Sequence, residues 1–390
     1  MNPTSASFLT LTITLAVLCF LLTVLLVPRL WKRGVSKYVL QALALVLTLV
    51  LSLLAVAAVL NAQNHWYPSW DALLSDPQEQ SLTSEVYGDR QLSFWSGESV
   101  QAQRHQASEL QEQLLSTPEL SSQLPGDKSR GAYLTVDVSG QKSAEDHQVL
   151  LWLPPAYFTE KDRFFPVILA FTGFPGSIQS YKQELDIGGK IRERVAAGRM
   201  QEAIVAVADV LPGNRDSECV DGSLGAKPPK TETYLIQDLL PWLKQNLRTI
   251  NNRQAWATSG FSAGGWCASM ITVRHPHFFG AALNQSGYFR PHYSSGQQWN
   301  DQQDARYLLD QRVAADLPEV NIYFYASRDD PLAMEDTETF SRQVRQPTSL
   351  LLETIAVGGH RSSVWTLGLG RGLDHLGRDL KFFAPLAAGT

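Results

Sequence analysis

The chain has few cysteines, three in 390 residues, so it is not a disulfide-stapled scaffold. It has no excess of positive charge: 33 Lys and Arg stand against 38 Asp and Glu, for a formal charge of −5. That balance lacks the basic footprint of a nucleic-acid binder. No internal repeat or low-complexity tract interrupts it. His275 and His277 sit two apart with no cysteine or carboxylate cluster beside them, so no metal site is expected and no cofactor is called for. Met1 to Pro28 contains no charged side chain at all. The apolar share, 44%, is too high for wholesale disorder.

The missing charge at the start marks the first feature that is present. Ser7 to Val27 is a mostly apolar run long enough to cross a hydrocarbon core of roughly 30 Å. Tyr38 to Leu60 is a second, broken only by Gln41, Thr48 and Ser52. The loop between them carries Arg29, Lys32, Arg33 and Lys37, which predicts a cytoplasmic loop with both chain ends outside. A secretory signal would place its basic residues before the first apolar run, not after it. The expected organisation is a two-span membrane anchor over 1–60, a connector over 61–131 and a large domain over 132–390. The connector is rich in Ser, Gln, Glu and Pro, with an exposed helix expected over 99–115.

From Ala132 onward strand and helix signals alternate. Strands are predicted at 132–138, 148–154, 165–173, 203–210, 254–261, 280–287, 321–327 and 350–357. Helices are predicted at 178–196, 232–247, 265–275, 301–314, 333–345 and 362–383. Continuous apolar strands separated by helices predict a mostly parallel sheet covered on both faces. The first two strands lack an intervening helix and predict an antiparallel hairpin.

Residues 260–264 read Gly-Phe-Ser-Ala-Gly, a G-x-S-x-G sequence between an apolar strand and a helix. That setting holds a serine on a sharp turn, so Ser262 is the candidate nucleophile. A serine hydroxyl needs a base. Of eight histidines only His360 directly follows an apolar strand, in AVGGHRSSVW. The acid is expected between them in the chain. NIYFYASRDDP offers Asp330, with Asp329 in reserve. The tetrahedral intermediate needs backbone donors. The N–H groups of Ala263 and of Phe174, in FTGFPGS, are the candidates for the oxyanion hole. Cys219 and Cys267 would both lie in an exterior domain, where two thiols either bridge or stay free.

With these residues in place, 132–384 resembles the putative-esterase family of α/β-hydrolases, the group of esterase D, the enterochelin esterases and the mycobacterial mycolyltransferases. The matching pieces are FTGFPGS, CVDG, ETYLIQDLLPWL, GFSAGGWCA, RHPHFFGA, SRDDP and GGHRSSVW. The resemblance implies an α/β-hydrolase fold with a triad on Ser262, Asp330 and His360 and oxyanion donors on Phe174 and Ala263. The cysteine pair and apolar N-terminus resemble actinobacterial cell-envelope members. The expected function is a membrane-anchored, extracytoplasmic serine hydrolase of lipid- or envelope-linked esters, with aminoacyl esters of lipids as one candidate. Two alternatives remain: an acyltransferase that moves the acyl group to a sugar or glycerol, and a non-catalytic envelope scaffold on a hydrolase fold.

Overall fold

The computed structural model describes residues 1–25, 29, 35–88, 115–294 and 296–386. Trp31, Lys32 and Arg33 of the basic loop, and nearly all of the helix expected over 99–115, lie outside the described residues. The chain divides into two compact units. One comprises Met1–Ser81, Ser327–Pro331 and Ile355–Arg361; the other comprises Leu82–Ala326, Leu332–Thr354 and Ser362–Thr390.

The first unit contains two helices, α1 (Ala6–Leu25) and α2 (Val35–Asn64), each long and apolar enough to cross a membrane. Leu22, Leu43, Leu47 and Leu53 are exposed on them. The helices meet at a small polar point. Thr48 Oγ1 lies 3.3 Å from Cys19 Sγ and 3.3 Å from Thr23 Oγ1. Both threonine hydroxyls also donate to carbonyls one turn back in their own helices, so neither is stranded among apolar side chains. After α2 the chain turns at His65, whose φ is 54°. It then returns to the start of α1: Trp70 Nε1 donates to the Met1 carbonyl at 2.8 Å and its ring meets Phe8 edge-on.

The second unit is built on a nine-stranded mixed sheet: β1 (Thr83–Tyr87), β2 (Ala132–Ser139), β3 (Asp146–Leu153), β4 (Val167–Phe171), β5 (Ile204–Ala208), β6 (Trp256–Phe261), β7 (Ala281–Gln285), β8 (Asn321–Ser327) and β9 (Ser349–Ile355). The spatial order is β1-β9-β8-β7-β6-β4-β5-β3-β2. β2 and β3 form the expected antiparallel hairpin, while the β5–β4–β6–β7–β8 core is parallel. Every residue of β4 to β8 is buried, as strands covered on both faces require. β2 alternates in burial instead, because one face is open at the sheet edge.

The sequence reading missed β1. It lies in the expected connector and adds an antiparallel edge strand, with Val86 opposite Leu351. The helix expected over 178–196 is two: Ser180–Gln183 and α3 (Ile187–Ala196). Asp186 separates them, at φ 45°, and caps α3 by accepting from Gly189 N at 3.1 Å. The next helix, α4, runs through Thr231–Thr233, Tyr234–Leu239 and Leu240–Asn246. Its middle segment is wound more widely, just before Pro241, which cannot donate to the preceding turn. After β6 comes α5 (Ala263–Arg274). The helix expected over 301–314 forms only as α6 (Leu309–Asp316). Asp301 and Asp304 instead bind the amides of Gln303 and Arg306 and hold 301–307 in turns. The helix expected over 333–345 is likewise split, into Pro331–Met334 and Thr337–Gln343. The last helix is α7 (Ser362–Asp379).

Candidate active site

Ser262 stands between β6 and α5 with φ 55° and ψ −127°, a strained backbone for a residue with a side chain. The turn is held from both sides. Ser262 N donates to Gln285 O at 3.0 Å, and Ser262 O accepts from Gly265 N and Trp266 N. Gly260 and Gly264 permit the close packing: a Cβ on Gly264 would collide with the Phe171 carbonyl at the end of β4, and one on Gly260 with the Gly264 carbonyl. The helix that follows is buried from Ala263 to Val273, so its start is fixed by packing on all sides. The serine therefore sits at the positive end of a rigid helix dipole.

Ala263 opens that helix, so its N–H has no carbonyl one turn back to meet. The loop after β4 passes beside Ser262. A Cβ built on Gly173 would stand 2.9 Å from Ser262 Cβ, and Phe174 is the next residue. Within this unit the structure thus gathers Ser262, Ala263 and the chain at Gly173–Phe174.

Asp330 and His360 follow the carboxyl ends of β8 and β9 and lie together in the first unit. His360 Nδ1 is 2.7 Å from Asp330 Oδ2; Asp330 has no exposed surface and His360 is 6% exposed. The two groups are within hydrogen-bonding distance, a pairing that leaves His360 Nε2 as the ring nitrogen not engaged by Asp330. Asp329 has another task. Its Oδ1 accepts from Ser327 Oγ and from the amides of Gly358 and Gly359 at 3.0 and 2.9 Å. Asp329, the reserve acid of the sequence reading, thus shapes the chain that carries His360.

Cys219 and Cys267 form a disulfide with Cα atoms 5.7 Å apart. It joins the loop after β5 to the second turn of α5. Trp266 Nε1 donates to Glu218 O at 2.8 Å beside it. The Glu218 side chain is buried and accepts from Tyr288 OH at 2.6 Å and His292 N at 2.9 Å. Burial, then the neighbouring Asp216 carboxyl, pushes Glu218 well above the ordinary carboxylate range. His275 is engaged elsewhere: it and Arg274 both contact Glu232 Oε1 at 2.7 Å. Burial alone would raise Glu232, but the hydrogen bond from His275 and the hydrogen bond and charge of Arg274 outweigh it and hold the carboxyl at about 2. Among the described residues no group of three or more His, Cys, Asp and Glu could hold a metal ion.

Glu218 escaped the sequence reading, as did the contacts of Asp329 with the Gly358 and Gly359 amides. RDSECVDG has the composition of a surface loop, although Asp216, Ser217 and Glu218 are all buried. The Gly358-Gly359 pair was the one available sign that something must hold the following loop.

The protein-family model described as "Putative esterase" matches residues 141–368. An uncharacterised protein of Corynebacterium glutamicum is 24% identical over 271 residues, which cover 64% of this chain and 62% of that one. An esterase of Mycobacterium tuberculosis is 31% identical over 135 residues, 35% of this chain and 28% of that one. The chain thus spans less than two thirds of the length of these relatives. An S-formylglutathione hydrolase from Agrobacterium tumefaciens superposes with a TM-score of 0.54 at 15% identity, covering 65% of this chain and 98% of that one. A ferulic acid esterase does so with a TM-score of 0.53 at 19% identity, covering 64% and 98%. These likenesses give the fold, that of the α/β-hydrolases. The family match covers more than half of the chain, from the turn between β2 and β3 into α7, and the chain belongs to the esterase family.

Proposed function

We propose that the protein is a membrane-anchored serine hydrolase that cleaves carboxylic esters through Ser262, His360 and Asp330. The observation that carries this reading is the backbone of Ser262, bent to positive φ between a buried strand and a buried helix in a chain of the esterase family. The buried His360–Asp330 pair supports it from the other half of the chemistry. In this reading Ser262 Oγ attacks the ester carbonyl carbon as His360 Nε2 takes its proton. Asp330 keeps the ring in the required tautomer and stabilises the imidazolium. The amides of Ala263 and Phe174 receive the developing oxyanion. His360 then protonates the leaving alcohol, and an acyl-enzyme remains. Water, deprotonated by the same imidazole, releases the acid and restores the serine.

The two apolar helices suggest the substrate class. They would hold the site close to a bilayer, with the folded units outside the cytoplasm, so an ester linked to a lipid or to the cell envelope is the substrate we favour. The test is labelling with a fluorophosphonate probe. One probe per folded chain is expected, lost in Ser262→Ala. A folded wild-type chain that takes no label would favour a scaffold instead.

A further inference from the structure

The loop that carries His360 is tied to the chain segment that continues the second apolar helix. Four successive backbone amides lead to the imidazole, and each has a partner. Val357 N donates to Gln80 Oε1 at 2.8 Å, and Gln80 Nε2 returns a hydrogen bond to Val357 O. Gly358 N and Gly359 N donate to Asp329. His360 N donates to His65 O at 3.0 Å. The two outer restraints therefore come from residues 65 and 80.

Further contacts reinforce them. A Cβ on Gly359, at φ 68°, would collide with the Trp66 carbonyl and stand 2.7 Å from Pro68 Cδ, so this segment lies against the glycine with no space between. The Arg361 guanidinium stacks over the Tyr67 ring at 4.7 Å, and its Nε donates to Gly358 O at 2.7 Å. The segment itself is braced. Buried Asn61, in the last turn of α2, accepts from Tyr67 N at 2.8 Å and donates from Nδ2 to Tyr67 O at 2.9 Å. Its own carbonyl accepts from His65 N.

We propose that residues 61–80 are a positioning strap for the histidine loop, with Gln80 and Asn61 as its positioning residues. Two consecutive glycines would leave this loop with wide backbone freedom. Clamping it on both sides removes that freedom before substrate arrives, which is where positioning contributes to rate. The strap touches the backbone on either side of the imidazole, not the substrate. Its loss should slow the chemical step and leave substrate affinity alone. The inference rests on the reading of His360 as the general base.

The experiment uses the full chain in detergent micelles, with a p-nitrophenyl ester as substrate. Gln80→Ala and Asn61→Ala are each expected to lower kcat roughly 10- to 100-fold, as a displacement near 1 Å would. KM should change less than about twofold, because no contact with substrate is removed. The rate of fluorophosphonate labelling should fall in parallel with kcat, since the probe also needs an activated serine. The melting midpoint shows whether each variant is folded. Gln80→Glu, which keeps the acceptor for Val357 N but not the donor to Val357 O, should restore part of the rate. If Gln80→Ala does not fold, Gln80→Glu carries the test, with the same split at smaller size. Wild-type kcat in folded Gln80 and Asn61 variants would overturn the strap. If Ser262→Ala is inactive in that same experiment, the ester-hydrolase reading stands while the strap alone fails. Full activity of Ser262→Ala would remove the reading itself.

Discussion

Replacing Cys219 and Cys267 together by alanine is expected to lower the melting midpoint by roughly 8–16 °C. The bridge spans 48 positions in the sequence. In the chain-entropy model, closing a loop of that length removes about 14 cal/mol/K from the unfolded chain, or about 4 kcal/mol at 25 °C. For a folded domain of a few hundred residues, each kcal/mol moves the midpoint by about 2–4 °C. Both cysteines are buried, so a soluble reductant reaches them slowly and the double variant is the cleaner perturbation. The assay is a thermal melt of the full chain followed by the fluorescence of its ten tryptophans. Cys19→Ala is the control: that thiol is in α1, outside the bridge, and its loss should move the midpoint by no more than about 2 °C. A double variant that melts within about 2 °C of the parent would refute the estimate, and with it the view that the bridge constrains the unfolded chain.

Other outcomes follow from individual side chains. Glu218 holds its proton in the folded state above the pH at which the unfolded chain releases it. Its contribution to stability is therefore complete below the ordinary carboxylate value and is lost as pH rises towards the folded value. Glu218→Gln has no proton to lose, so its midpoint should decline less than the parent's between pH 5 and 9; parallel declines would count against this assignment. Asp330→Asn should lower kcat by about 10⁴-fold, because the amide favours the wrong imidazole tautomer. Asp329→Asn should cost far less, since the amide oxygen can still accept from Gly358 and Gly359. Equal losses in steady-state assays would remove Asp330 from its proposed role.

The parts of the fold that could be read from the residues are those with local patterns. Eight strands of the sheet follow apolar runs bounded by turn residues, and β4 and β5 are apolar along their whole length. The elbow was legible because Gly260, Ser262 and Gly264 sit at fixed spacing between a strand and a helix. β1 was not, because an edge strand with Thr83, Ser84 and Val86 exposed has no buried face to print a pattern. Gln80 left no local sign at all: its partner is a backbone amide 277 residues away, and a long-range bond from side chain to backbone asks nothing of the partner's identity. The breaks in the helices around Asp186 and Asp301–Asp304 came from side chains that bind nearby amides and so compete with the helix.

The carbonyl that receives the His360 amide belongs to the first residue beyond α2. In a lipid bilayer, a helix of this kind changes tilt and depth with membrane thickness. The His360 backbone, hydrogen-bonded to the first residue beyond it, would be pulled with it. If α2 crosses a membrane and His360 is the base we propose, lipid acyl-chain length would act on turnover without any ligand and without touching the reacting atoms.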